Sequence, residues 1–221
     1  MSTSSVPADP HPGLTTASLV IGPLLMAIGD LIHPQERMAA ADQIVILAEH
    51  ATRWYAAHLL LFVGIVLFIP GMLALAGLAA STRPAAGYAA RILVLMGTAG
   101  FASIFVAEML VGRYVLDGAS PAAATALLES MFSGPMLAAV GPLMLAFAAG
   151  IAAFAVPLIR AGGGLRWSAT AIALGILLIF VEIATAQVLL SQIGNVLAFC
   201  GSAATAVLLS RASAASTALP S

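Results

Sequence analysis

A chain of 221 residues, 62% of them hydrophobic and only 8% charged, cannot present an ordinary water-facing surface. It has no lysine, its eight basic residues are all arginine, and a net charge of -1 offers no basic face to a phosphate backbone, which excludes nucleic acid as a partner. What remains is an all-α integral membrane protein, a polytopic helical bundle whose first partner is the lipid bilayer.

Residues 1–13 are rich in Ser and Pro and carry no positive stretch ahead of the first apolar run, so they read as a disordered tail and not as a cleaved signal. A bilayer core takes about 20 apolar helical residues. Six windows of that kind follow, at 14–33, 54–80, 88–112, 135–159, 167–187 and 194–210. Together they make a membrane domain over 14–211, with a second tail at 212–221. The last two windows belong to one apolar run, and its only polar or flexible cluster is Gln187, Ser191, Gln192, Gly194 and Asn195. The chain is expected to turn back there.

Arginine placement sets the orientation. Arg83, Arg91, Arg160, Arg166 and Arg211 flank one set of turns. The alternate connectors mix Arg37, Arg53 and Arg113 with Glu36, Asp42, Glu49, Asp117 and Glu129. The positive-inside rule then puts both termini in the cytoplasm and the two acidic connectors outside. The heavy use of Ala points to a high-GC bacterial source, and so to a bacterial cytoplasmic membrane.

Both outer connectors read as short extracytoplasmic helices. In the first, Ile44, Leu47, Ala48 and Ala51 form an apolar stripe opposite Asp42, Glu49 and Arg53, and Glu49 to Arg53 is a favourable i,i+4 pair. In the second, Ser120 stands at the N-cap, Pro121 takes the first helical position, and Gly134-Pro135 reads as a stop. A weak internal echo relates Gly64, Arg83 and Gly87 to Gly141, Arg160 and Gly164, as two parallel hairpins would.

The ionisable chemistry gathers around residues 30–58, which hold Asp30, His33, Glu36, Asp42, Glu49, His50 and His58. Every outward-running span also carries one acid near its outer end: Asp30, Glu108 and Glu182. These acids, with His33 and His58, occupy one shallow layer of the outer leaflet, where an ionisable group should face protein or water and not lipid. Asp30, His33 and His58 are candidate ligands for zinc or iron, and a metal-bound water would hydrolyse an ester or amide of a lipid-like substrate. Glu108 and Glu182 are the catalytic candidates, because apolar surroundings favour the neutral carboxyl that a general acid needs.

Two other readings stay open at this stage. The same acids suit a proton-coupled small-molecule transporter, with Pro70, Pro142 and Pro157 as kinks. Alternatively they form, with Arg113 and Gln187, a polar network that only locks six helices together in a non-catalytic scaffold or accessory subunit. Trp54, Tyr55 and Trp167 read as interfacial anchors, the dispersed methionines, Met26, Met136 and Met144 among them, as core filling, and His11 and His50 as solvated. Gly97 with Gly100, and Ala146 with Gly150, read as sites of close helix approach.

The six spans, the helical first connector and the Trp54-Tyr55 entry to the second span together resemble small bacterial six-span membrane proteins grouped as a domain-of-unknown-function family. Segments 42–78 and 141–175 carry the likeness, with the turn Arg160-Ala-Gly-Gly-Gly-Leu-Arg166-Trp167. The resemblance implies the topology and no activity.

Overall fold

The computed structural model describes residues 12–35, 39–131 and 133–217. Its elements are all helices: α1 (Pro12–Ile32), α2 (Ala40–Thr82), α3 (Pro84–Leu116), α4 (Pro121–Met131), α5 (Gly134–Ala161), α6 (Gly163–Thr185) and α7 (Val188–Thr217). All but α4 are long and apolar enough to cross a membrane. The six pack as a closed ring in the order α1, α2, α3, α5, α6, α7, with α7 returning to α1. Helix α2 also reaches across to α5, and α4 lies against α2, α3 and α5. One end of the ring carries the connectors. The other carries the arginine-flanked turns.

At 43 residues, α2 is about 65 Å long, roughly twice the hydrocarbon core of a bilayer. The first connector is a short helix of its own at the head of α2, joined to the span across a kink. It is set off by a break at His50, whose φ of -130° and ψ of 26° leave the helical region. Ile44, Leu47 and Ala51 are buried as the stripe predicts, whereas Ala48 is exposed. The buried face packs with Trp54 and Val111 and with Ala124 and Leu128 of α4 in a small core of its own, so the two connector helices hold each other over the end of the bundle.

Several local expectations change. Ser120 does cap α4, accepting a hydrogen bond from the Ala123 N–H at 3.3 Å. Gly134-Pro135, however, opens α5 behind Ser133 instead of stopping α4, because proline lacks an N–H just where a helix start leaves one unused. The chain reverses at Ala186, which adopts the left-handed conformation (φ 53°, ψ 30°), and Gln187. Ser191, Gln192, Gly194 and Asn195 lie inside α7. Helix α1 begins at Pro12, and α7 continues past Arg211 to Thr217. His11, Glu36 and Arg37 lie outside the described residues, as do most of the first tail and the last four residues of the second.

The arginine half of the ring is solid. Phe68, Met72, Leu75, Phe154 and Leu158 fill it with almost no exposed surface. Close approach does come from small residues: a Cβ on Gly97 would collide with the backbone of Phe147, and one on Gly194 would sit 2.6 Å from the Gly175 carbonyl oxygen. Gly64 likewise meets α1 at Gly22 and Met26, but its counterpart Gly141 touches only Leu137 of its own helix, so the echoed glycines do different work. At Pro70 the helix does not break. The Ser18 hydroxyl enters the ladder one residue later, donating to the Leu67 carbonyl at 2.6 Å and accepting from the Gly71 N–H at 2.7 Å. A buried hydroxyl thus completes the backbone pairing that the proline disturbs.

Candidate functional site

At the connector end the ring encloses a chamber of about 790 Å³. Asp30, His33, His58, Glu108 and Glu182 all line it, with Gln43, Ser191 and Asn195. The rest of the wall is apolar except for Glu129 and includes Leu61, Ile65, Phe101, Phe105, Phe147 and Phe180, together with Met26, Met131, Met136 and Met144. Leu128 and Glu129 of α4 and Ala40 and Gln43 of α2 reach it from the connectors. Helix segments running in the same or opposite directions thus deliver one layer of ionisable groups to one end of an otherwise greasy space.

Within that layer the side chains form two groups. In the first, His58 Nδ1 is 2.9 Å from the Trp54 carbonyl oxygen and its Nε2 contacts the Glu108 carboxylate. Both ring nitrogens of His58 face acceptors, which is the donor pattern of an imidazolium paired with a carboxylate. His33 directs Nδ1 at the Pro34 carbonyl oxygen, 2.7 Å away, and its Nε2 stands 3.4 Å from His58 Nε2. With Nδ1 donating, that Nε2 carries a lone pair turned toward His58. Glu108 and His33 therefore meet at one atom, His58 Nε2, whose single proton lies between the carboxylate and the second imidazole.

Trp54 fixes this group. Its ring lies 4.7 Å from that of His33 and 4.6 Å from that of His58, and its indole N–H donates to the Glu108 carbonyl at 3.1 Å. With 2% of its surface exposed, Trp54 is part of the site and not an interfacial anchor, whereas Tyr55 and Trp167 do stay at the surface. Arg53 closes the C-terminus of α1 by donating to the carbonyls of Ile32 and His33. A guanidinium at a helix C-terminus is favourable, and this one also anchors the backbone that presents His33. It forms no ion pair with Glu49.

The second group is built on α7. The Ser191 hydroxyl donates to Asp30 Oδ1 at 3.1 Å and Asn195 flanks the same carboxylate, while Oδ2 is buried without a partner. Gln192 reaches the Asp30 backbone oxygen at 3.5 Å. Glu182 is 7% exposed and has no hydrogen-bond or ion-pair partner among the described residues.

Asp30, His33 and His58 therefore share a chamber without converging as a triad. The carboxylate of Asp30 is turned to α7, and the two histidines are engaged with Glu108. Among the described residues no group of three or more His, Cys, Asp or Glu is arranged to hold a metal ion. No family model matches this chain. No curated protein and no solved structure matches it either.

Sequence reading missed the site roles of Ser191, Asn195 and Arg53, and although His50, Trp54 and His58 share an i,i+4,i+8 stripe it took Trp54 first as an interfacial anchor. It also placed Arg113 and Gln187 in the layer, but Arg113 is exposed and pairs with Asp117 just past the end of its own helix, and Gln187 lies in the exposed turn. Ser191 and Asn195 are four residues apart, as are Trp54 and His58, so the members of each pair share a helical face. That spacing was the available signal. Which way the face points is a matter of packing.

Proposed function

We propose that this protein binds a hydrophobic or lipid-like small molecule from the outer leaflet of a bacterial cytoplasmic membrane, and that the His58–Glu108 pair exchanges a proton with the polar group of that molecule. One observation carries the reading: Asp30, His33, His58, Glu108 and Glu182 line one chamber whose remaining wall is mostly apolar. A volume of about 790 Å³ lies in the range of small-molecule sites, which are mostly apolar with a few convergent polar groups. The methionines add a wall that adapts to irregular ligands. The arginine-only turns support cytoplasmic termini, which puts the chamber outside. The solid packing of Phe68, Met72, Leu75 and Phe154 beyond the chamber favours a one-sided site over a through-route for transport.

The reaction class this arrangement serves is hydrolysis of an ester or amide. Water adds to the carbonyl carbon, the carboxylate of the His58–Glu108 pair takes up its proton, and the same proton goes to the leaving group as the bond breaks.

The test uses fluorescence. Trp54 lines the chamber, and the only other tryptophan, Trp167, is exposed and dispensable as Trp167→Phe. In that background, in nanodiscs, dodecanol should shift Trp54 emission saturably. Val140→Phe, which fills the chamber, should abolish the shift. A response that is linear in dodecanol and the same in both proteins would overturn the binding site. Stoichiometric zinc or iron in the purified protein, lost in the His33→Ala, His58→Ala variant, would replace the acid–base reading with a metal.

A further inference from the structure

We infer that the lipid-like molecule of this chamber carries an amine headgroup, bound as its ammonium by Asp30 and Glu182, and enters sideways from the bilayer between α5 and α6. The inference rests on the binding reading above and adds the charge of the ligand and its route.

The charge follows from what the wall contains and what it lacks. Asp30, Glu108 and Glu182 line the chamber, and no arginine does among the described residues. The nearest cation in the sequence of the site, Arg53, is turned away to the Ile32 and His33 carbonyls. A phosphate or carboxylate headgroup would therefore find no cation there beyond the imidazolium that Glu108 already holds, only neutral donors set among acids, and like charges that close repel. Glu108 is matched by His58, but no cation among the described residues matches the other two carboxylates. Asp30 is 8% exposed and its Oδ2 is buried without a partner, and no hydrogen bond or ion pair holds Glu182, 7% exposed, among the described residues. A buried acceptor left open is costly unless something fills it. An ammonium group has donors and no acceptors, so it satisfies both carboxylates without stranding a lone pair. Phe105 and Phe180 also line the chamber, and an aromatic ring attracts a cation over its face.

The route follows from where the ring is loosest. Helix α5 is exposed on all sides from Gly134 to Ala139, while α6 is exposed from Ile183 to Thr185. Met136, Leu137 and Ile183 are exposed and line the chamber at the same time, so they form a lateral mouth between those two helix ends. Its edge is apolar, as a bilayer-facing entrance must be. Glu129 of α4, exposed and also lining the chamber, stands on the connector side, where an ammonium headgroup would pass it.

The experiment is a titration of the nanodisc-embedded Trp167→Phe protein with dodecylamine, dodecanol and dodecanoate at pH 7, read from Trp54 emission. Dodecylamine should bind about tenfold or more tightly than dodecanol, the scale of a charge-assisted hydrogen bond, and dodecanoate weakest. Asp30→Asn and Glu182→Gln should each lower the amine affinity toward that of the alcohol and leave the alcohol unchanged. Retained dodecanol binding shows that each variant is folded. Leu137→Trp would add an indole, so Leu137→Phe is the variant for the mouth: it should slow the approach to the endpoint without moving the endpoint.

Equal affinities for amine and alcohol, or a preference for dodecanoate, would overturn the amine assignment and leave the chamber as a binding site. Amine preference that survives both neutral variants would also overturn it. No saturable response to any of the three would remove the binding reading itself.

Discussion

Glu108 and His58 form the contact on which the chamber's chemistry depends, and its energetics are lopsided. A buried ion pair gains little over an apolar pair of the same shape, but stranding one partner costs about 3–5 kcal/mol. Glu108→Ala should destabilise by that order, because it leaves a buried imidazolium at His58 without its counter-charge beside His33 and Trp54. Removing His58 as well should recover part of the loss. Unfolding of the two single variants and the double in a denaturant series measures the coupling, and strictly additive losses would show that the pair does not act as a unit. Depth in the sequence placed all five ionisable residues in one layer, and they do line one chamber. Depth could not separate Asp30, held by Ser191 of α7, from the histidines held by Trp54 and Glu108, since that depends on rotation about each helix axis.

Helix α2 shows how an element absorbs a defect. Pro70 cannot donate, and Ser18 from the neighbouring helix bonds both sides of the opened turn. Ser18→Ala should cost about 1–3 kcal/mol, because it leaves a buried backbone donor and a buried acceptor unpaired. Ser103→Ala is the control, since that exposed hydroxyl bonds only the Ala99 carbonyl one turn earlier on its own helix, and its loss should stay within about 0.5 kcal/mol. Thermal or denaturant unfolding of the two variants side by side checks the difference. Equal effects would mean that Ser18 is not needed to hold the ladder. Proline positions were plain in the sequence, and so was the expectation of kinks. The break itself falls at His50, where α2 bends from the connector into the span, a place no propensity marks.

For the molecule as a whole, the ring is solid at the arginine end and hollow at the connector end, so its sidedness decides where a ligand arrives. With Cys200, the only cysteine, replaced by serine, Glu129→Cys at the connector end should react with a membrane-impermeant maleimide in intact cells. Arg166→Cys at the other end should react only after permeabilisation. The reverse pattern would put the chamber on the cytoplasmic side and end the outer-leaflet reading.

The number of spans, their up-and-down alternation and the depth of each ionisable residue were legible in the chain alone, because bilayer thickness ties helix length to hydropathy and a helix rises evenly along its axis. So were the close approaches at Gly97 and Gly150, since only small residues let two backbones meet. Which residues face one another came from packing: Trp54 turns inward to clamp two histidines, Ser191 and Asn195 turn to Asp30, four methionines line a cavity instead of filling one, and the connector-side ends of α5 and α6 stay exposed. In a chain this apolar almost every helical face can meet either lipid or protein. Hydropathy therefore cannot choose the rotation of a helix, and the packing of its neighbours does.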